Sequence, residues 1–176
     1  VSERVRLQLR VATGLWPAWP RGPIKSVIHG KVDRGDYTVE KVYFASLPGH
    51  YVTGSLYRPK SGGDNSDSGR PGILCPHGHW PNGRFYDAGA TKAADQVKKG
   101  AEKFEAGGRH PLQARCVQLA RMGCIVFLYD MQGYADGGSL SYQLIHRFAK
   151  QRPDLSSPER WGMFSAQSEL RLINAL

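Results

Sequence analysis

Residues 70–80 read Arg-Pro-Gly-Ile-Leu-Cys-Pro-His-Gly-His-Trp, a short apolar run followed at once by a loop of glycine and histidine. The run 73–75 has the character of a buried parallel strand, and Pro76 ends it. Gly78 carries no Cβ, so we expect the backbone to turn sharply there and to bare an amide N–H group. The stretch therefore predicts a strand that ends in a loop whose backbone comes close to a ligand.

The residues after this loop predict alternating helices and strands. Apolar side chains recur at the three- to four-residue spacing of one helix face over Pro111–Met122, and Gly123 is placed to end that helix. Residues 124–129 are almost continuously apolar, as in a strand that helices cover on both faces. Further helices are predicted near Ala90–Phe104 and over 140–150 and 159–176. This order is typical of βαβ units in a parallel sheet.

The residues before the loop predict a different arrangement. Three runs alternate β-branched or aromatic residues with polar ones and are separated by tight turns, at Val27–Val32, Tyr37–Phe44 and Tyr51–Tyr57. Strands joined so closely form an antiparallel meander. A loosely amphipathic helix is predicted to open the chain. We therefore expect one α/β domain with an incomplete sheet, divided into an N-terminal helix and Trp/Pro segment (1–22), the meander (23–60), a flexible polar loop (61–70) and βαβ units (71–176).

The composition is that of a globular protein, with 40% hydrophobic and 22% charged residues. No apolar run approaches the roughly 20 residues of a transmembrane helix, and no signal peptide opens the sequence. The first residue is Val, so the true N-terminus is not assigned, and neither the compartment nor the oligomeric state is predicted.

The net charge of +9 is concentrated early, with seven Lys or Arg against two carboxylates in residues 1–34. One interpretation is a patch for nucleic acid or another polyanion. The interpretation we favour is a solvated helix face and charged strand edges, because these residues match no nucleic-acid motif.

Metal and cofactor sites are not expected. Cys75, Cys116 and Cys124 each lie in an apolar context, which predicts small buried hydrophobes rather than zinc ligands or a disulfide scaffold. His77 and His79 flank a glycine without a third ligand at suitable spacing. No nicotinamide, flavin or phosphate fingerprint occurs.

Three phrases in order resemble one protein family. They are Pro48-Gly49 through Leu56-Tyr57-Arg58-Pro59, then Cys75-Pro76-His77-Gly78-His79-Trp80, then Leu119–Gly123 into Tyr129-Asp130-Met131-Gln132-Gly133-Tyr134. An antiparallel meander that leads into parallel βαβ units is also the order of an α/β-hydrolase sheet. The chain resembles the N-terminal half of an α/β hydrolase, and is most similar to the acetyl xylan esterase-like and dienelactone hydrolase-like branch. The resemblance covers about residues 37–140.

This resemblance implies serine-dependent hydrolysis of a small-molecule or carbohydrate ester, without a cofactor. No Gly-x-Ser-x-Gly elbow occurs in the sequence. The nucleophile, acid and base are therefore expected beyond Leu176, and no catalytic residue is assigned within the chain. Ser139 follows the wrong strand for a nucleophile and is interpreted as a helix cap. Asp130 is interpreted as a turn residue that caps backbone amides, not as the triad acid.

The same resemblance assigns roles in the loop after the Ile-Leu-Cys strand. The backbone N–H of His79, or that of Trp80, is the expected oxyanion-hole donor, and Gly78 permits the close approach. His77 is expected to hold the loop by local hydrogen bonds rather than to act as a base. Trp80 and Tyr134 are candidates for lining the substrate pocket, with ordinary packing as the alternative.

Two functions from different classes remain open. The first is part of a serine esterase, which would show no turnover as these residues alone and would expose the apolar edge of the 124–129 strand. The second is a non-catalytic hydrolase-like module that binds a partner or polyanion through the basic N-terminal third. A membrane partner is not expected, and neither is nucleic acid under the first function.

Overall fold

The computed structural model describes residues 2–12, 15–18, 22–60 and 69–142. Helix α1 (Ser2–Ala12) precedes strands β1 (Val27–Asp33), β2 (Tyr37–Leu47), β3 (His50–Pro59) and β4 (Gly72–Leu74). A 3₁₀ turn (Gly83–Phe85) then leads into helices α2 (Ala90–Lys98), α3 (Glu105–Arg109) and α4 (Pro111–Arg121), and strand β5 (Ile125–Tyr129) follows. None of the helices in these ranges combines the length and apolar character needed to cross a bilayer.

The five strands form one mixed sheet in the order β1-β2-β3-β5-β4. Strands β1, β2 and β3 pair antiparallel, which confirms the predicted meander. β5 pairs antiparallel with β3 and parallel with β4, where Ile73 lies opposite Val126. The β4–β5 pair with its intervening helices is the βαβ unit that the sequence predicts.

The order of the strands corrects one expectation. β5 lies inside the sheet, between β3 and β4, so its edges are not the ones exposed. β4 is instead the edge strand at this end of the described sheet, and Leu74 keeps 70% of its surface exposed. The predicted strand is thus present as Gly72–Leu74, without Cys75, and it is not buried on both faces.

The close pairing of β3 with β5 depends on Gly54. A Cβ built on Gly54 would come within 2.6 Å of the Leu128 carbonyl oxygen and 2.8 Å of the Tyr129 Cα. Since real Cβ atoms do not approach backbone this closely, only glycine lets the two strands lie at this spacing.

The core lies between this part of the sheet and α4. Leu112, Cys116 and Ala120 recur every four residues and are the buried residues of that helix. They face the strands, and the central cluster consists of Tyr57, Cys75, Cys116, Ala120, Val126 and Leu128. The predicted helix and its Gly123 end are confirmed, because Gly123 adopts a φ of 96°.

Two predicted helices differ from the structure. The helix near Ala90–Phe104 ends at Lys98, since Gly100 adopts a left-handed φ of 71° and Phe104 is the N-cap of α3. α1 is present, but none of its residues is buried, so its apolar side chains form no core face. The loop prediction for 61–68 and the helix predictions beyond residue 142 fall outside the described residues.

Candidate functional site

The loops that follow β4 and β5 meet at one edge of the sheet. The two strands are parallel neighbours, so their carboxyl ends lie side by side. The first loop begins at Cys75 and carries the predicted oxyanion residues, and the second begins at Asp130. The sequence placed candidate residues in both loops, and the structure brings them into contact.

His77 joins the two loops. Its side chain is buried, its Nδ1 lies 2.8 Å from the Gly78 carbonyl oxygen, and its Nε2 accepts a hydrogen bond from the Met131 N–H at 3.1 Å. A carbonyl only accepts and an amide N–H only donates, so Nδ1 must carry the proton and Nε2 must be bare. His77 is therefore neutral, in the Nδ1–H tautomer.

The electrostatic surroundings favour this neutral state. Burial lowers the pKa of His77 from its ordinary value, and the nearby Arg84 and His79 add to the effect. The hydrogen bond to Gly78 acts in the opposite direction. The ring also meets Tyr134 edge-on, with the ring centroids 5.1 Å apart. These contacts join the two loops through His77, and its loop-holding role stays a prediction.

The Gly78–His79 peptide group is fixed in orientation. Its carbonyl oxygen lies at hydrogen-bond distance from both His77 Nδ1 and the Trp80 N–H, at 2.8 Å each. The C=O and N–H of a planar trans peptide point in opposite directions. The His79 N–H is therefore directed away from the two groups that hold Gly78.

This geometry changes the assignments made for Trp80 and Gly78. The Trp80 N–H already donates to Gly78, so it stabilises the turn and is not a ready donor to a substrate. Gly78 has no left-handed φ, and a Cβ there would lie 3.1 Å from the Trp80 Nε1. The missing Cβ thus makes room for the indole. The oxyanion role of His79 stays a prediction.

The two pocket candidates occupy different surroundings. The Trp80 indole is 43% exposed and stacks at a tilt on Tyr86, with 5.0 Å between the ring centroids. Tyr134 is buried, and its ring also meets those of His79 and Tyr142 edge-on. Tyr134 therefore packs the base of the loops, and the lining role of Trp80 stays a prediction.

A buried ion pair that the sequence pattern does not reveal joins the two loops. Arg84 has 2% of its side chain exposed and Asp130 none, and the Arg84 NH1 contacts the Asp130 Oδ2. The Arg84 NH2 lies 2.5 Å from the Asp136 Oδ2. Asp130 also accepts from the Thr53 hydroxyl at 2.7 Å and from the Asp136 N–H at 3.3 Å. The predicted capping role of Asp130 is confirmed by the last contact.

Gly83 is the second residue that sequence reasoning missed. Its φ is 54°, and a Cβ there would come within 2.9 Å of the Tyr134 Cβ and 3.1 Å of the His77 Nε2. The Asn82-Gly83 pair is a turn signal, and Asn82 also has a positive φ of 62°. That signal predicts a turn, but it does not reveal that the turn packs against the His77 ring.

The remaining candidates take no part in this cluster. The Ser139 hydroxyl, interpreted as a helix cap, accepts a hydrogen bond from the Tyr51 N–H at 3.4 Å. Cys75 and Cys116 are buried as predicted, whereas Cys124 is only half-buried, and burial raises the pKa of Cys116 to about 12. Within the described ranges no three His, Cys, Asp or Glu side chains are grouped so as to hold a metal ion.

Comparison with known proteins gives a likeness of fold. The chain is similar to the solved structure of methylesterase BT1017, with a TM-score of 0.52 and 22% sequence identity. The match covers 99% of this chain and 32% of that one, so the chain spans about a third of that protein's length. No protein-family model matches the sequence, and no curated protein matches it significantly. The likeness supports a mixed α/β architecture of the kind found in an esterase.

Proposed function

We propose that this chain is the N-terminal part of a serine carboxylesterase, and that the His79 backbone N–H is a donor of its oxyanion hole. The observation that carries the proposal is the fixed orientation of the Gly78–His79 peptide. His77 and the Trp80 N–H hold its carbonyl oxygen from one side, which directs the His79 N–H to the other. A donor held in place before the reaction pays no reorganisation cost when charge develops on the substrate.

The chemistry that such a donor serves is acyl transfer. When a nucleophile adds to an ester carbonyl, negative charge develops on the carbonyl oxygen, and one well-placed N–H stabilises that charge by about 3 kcal/mol. The sequence contains no Gly-x-Ser-x-Gly elbow, and the chain matches 32% of the methylesterase. We therefore assign the serine nucleophile, its base and its acid to residues outside these 176.

The substrate class proposed is a small-molecule or carbohydrate ester. The similar solved structure is named a methylesterase, which supports an ester without specifying its acyl or alcohol part. No cofactor is needed for this chemistry, because the serine triad and the oxyanion donors supply the proton transfers and the charge stabilisation.

The experiment removes the His79 N–H and leaves the His79 side chain in place. Semisynthesis replaces His79 by its α-hydroxy acid, which turns the amide into an ester and deletes one hydrogen-bond donor. We expect kcat of the full-length protein to fall about 10²- to 10³-fold with little change in KM. The matched variant His79→Ala keeps the N–H and should stay within a few-fold of wild type. An unchanged kcat in the amide-to-ester protein would remove His79 from the oxyanion hole.

A second experiment addresses the nucleophile. A fluorophosphonate probe reacts with activated serines, and peptide mapping locates the labelled residue. We expect the label on a serine outside residues 1–176. Labelling of Ser139, or of no serine in an active protein, would contradict the proposal.

The alternative is a non-catalytic module that binds a polyanion through the basic N-terminal third. One observation favours it: Arg4, Arg6 and Arg10 lie on α1, a helix without buried residues. Binding to heparin that disappears at high salt would support this function. Binding of a neutral acetylated sugar without binding of heparin would contradict it.

A further inference from the structure

We propose that Arg84 is a positioning residue that keeps the His79 N–H aimed at the reacting oxygen, acting through Asp130, Met131 and His77. This inference rests on the proposed function. It assigns a role to a buried side chain whose ion pairs are with Asp130 and Asp136.

The ion pair between Arg84 and Asp130 is deeply buried. Arg84 and Asp130 keep 2% and 0% of their side-chain surfaces exposed. Removing two charges from water costs several kcal/mol per ion, so such a pair is a poor way to gain stability. The guanidinium group contacts Asp130 and Asp136 through different nitrogens, which defines its orientation. An arrangement of this kind fixes geometry.

The chain neighbours of Asp130 and Arg84 connect the ion pair to His77. Asp130 is followed directly by Met131, whose N–H donates to the His77 Nε2. Arg84 is preceded directly by Gly83, where a Cβ would come within 3.1 Å of the His77 Cε1 and Nε2. Asp130 is thus covalently joined to a residue that hydrogen-bonds to the imidazole, and Arg84 to a glycine that leaves no room for a Cβ beside the ring. The ion pair holds both neighbours in place and confines the ring.

The confined His77 ring holds the Gly78–His79 peptide plane. His77 is within hydrogen-bond distance of the Gly78 oxygen, and the Gly78–His79 peptide plane follows that oxygen. A ring that rotates releases the plane, and the His79 N–H then samples other directions. Displacements of about 1 Å in a catalytic group cost on the order of 10²-fold in rate. The consequence falls on kcat, since Arg84 is buried and its guanidinium group contacts Asp130 and Asp136.

The test compares three variants of the full-length protein with wild type. Arg84→Met removes the charge and keeps an apolar stem. Arg84→Met with Asp130→Asn also removes the carboxylate charge and keeps an acceptor for Thr53 and Asp136. The control, Arg58→Met, breaks the ion pair with Glu40, whose atoms lie 2.9 Å apart on β3 and β2. Ester turnover, urea unfolding and the ¹⁵N spectrum of labelled histidines are measured for each.

We expect Arg84→Met to lower both stability and kcat, the latter by 10- to 100-fold with KM nearly unchanged. The double variant should recover most of the stability, because no buried charge is left uncompensated, while its kcat stays low. In both, the His77 signal should change from one Nδ1–H tautomer to a mixture. Arg58→Met should leave kcat and the tautomer unchanged.

Two results would overturn the proposal. The first is a kcat that recovers together with stability in the double variant, as a purely structural role requires. The second is a pure Nδ1–H signal for His77 in Arg84→Met. A wild-type protein that hydrolyses no ester overturns the proposed function instead, and the histidine spectrum then still decides whether Arg84 confines His77.

Discussion

Replacing Gly83 by alanine should test the packing of the turn against His77 directly. Gly83 has a φ of 54°, and an added Cβ would lie 2.9 Å from the Tyr134 Cβ and 3.1 Å from two atoms of the His77 ring. Gly100 offers a matched control, because its φ is 71° and no atom lies within 4 Å of the position of its Cβ. The two substitutions share the backbone strain and differ in the contact.

The magnitudes follow from these two contributions. Alanine in the left-handed region costs about 1–2 kcal/mol, and this applies to Gly83 and Gly100 alike. One extra carbon forced into a packed site costs about 1–3 kcal/mol more, and this applies to Gly83 only. The loss of unfolded-state entropy on replacing glycine is common to both variants and cancels in the comparison. Gly83→Ala should therefore be less stable than Gly100→Ala by about 1–3 kcal/mol.

Urea unfolding of the two variants and of wild type measures this difference, and ester turnover of the full-length protein measures its effect on the site. Because the added carbon displaces the His77 ring, Gly83→Ala should lose turnover under conditions where it is fully folded, while Gly100→Ala should not. Equal unfolding free energies for the two variants would show that the turn does not pack on His77 as described. The turn would then not be what holds the His77 ring against the Gly78 carbonyl oxygen.

Three further predictions concern the sheet, the pH dependence and the core. Gly54→Ala should lower the free energy of unfolding in urea by about 1–3 kcal/mol or more, because its Cβ meets the β5 backbone. The control Gly72→Ala on β4 places its Cβ within 4 Å of no atom and should be near neutral. Similar losses in the two variants would contradict the β3–β5 spacing. Because the pKa of His77 is lowered in the folded protein, below about pH 6.5 the unfolded chain binds a proton at this residue that the folded protein does not. The free energy of unfolding should therefore fall as the pH drops through that range, and it should fall less in His77→Gln. Identical pH profiles for the two proteins would refute the neutral His77. Cys116 is fully buried and its pKa is raised to about 12, so it should resist a thiol reagent at pH 8 until urea is added. Mass spectrometry of the labelled peptide measures this reaction. Prompt labelling of Cys116 in the folded protein would contradict its burial.

Much of the sheet could be predicted from sequence because its signals are local. Alternation of side chains indicates β1, β2 and β3, and the three- to four-residue spacing of Leu112, Cys116, Leu119 and Met122 indicates α4. In the structure Met122 is exposed, and Ala120 joins Leu112 and Cys116 in the buried face. Pro76 and Gly78 marked the loop that carries the site. Even the error over residues 99–104 was local, since Gly100 ends the helix.

The parts that could not be predicted depend on partners distant in sequence. Gly54 permits β5 to lie beside β3, and nothing near either strand reports that pairing. Arg84 has no apolar pattern around it that signals burial. It is buried because Asp130 and Asp136 meet it from another loop, and charge pairing across such distances is invisible to periodicity. The same holds for the contact of Met131 with His77.

The interior position of β5 also has a consequence for how the molecule assembles. The hairpins of β1, β2 and β3 close over a few residues, so they can form early from neighbouring contacts. β5 must bring Val126 beside Tyr57 and Ile73, which closes far longer stretches of chain and is correspondingly slow. Pulse-labelling hydrogen exchange should therefore show the amides of β2 protected before those of β5. The Met131–His77 hydrogen bond then forms only once β5 has docked, so the loops acquire their working geometry in the last stage of folding.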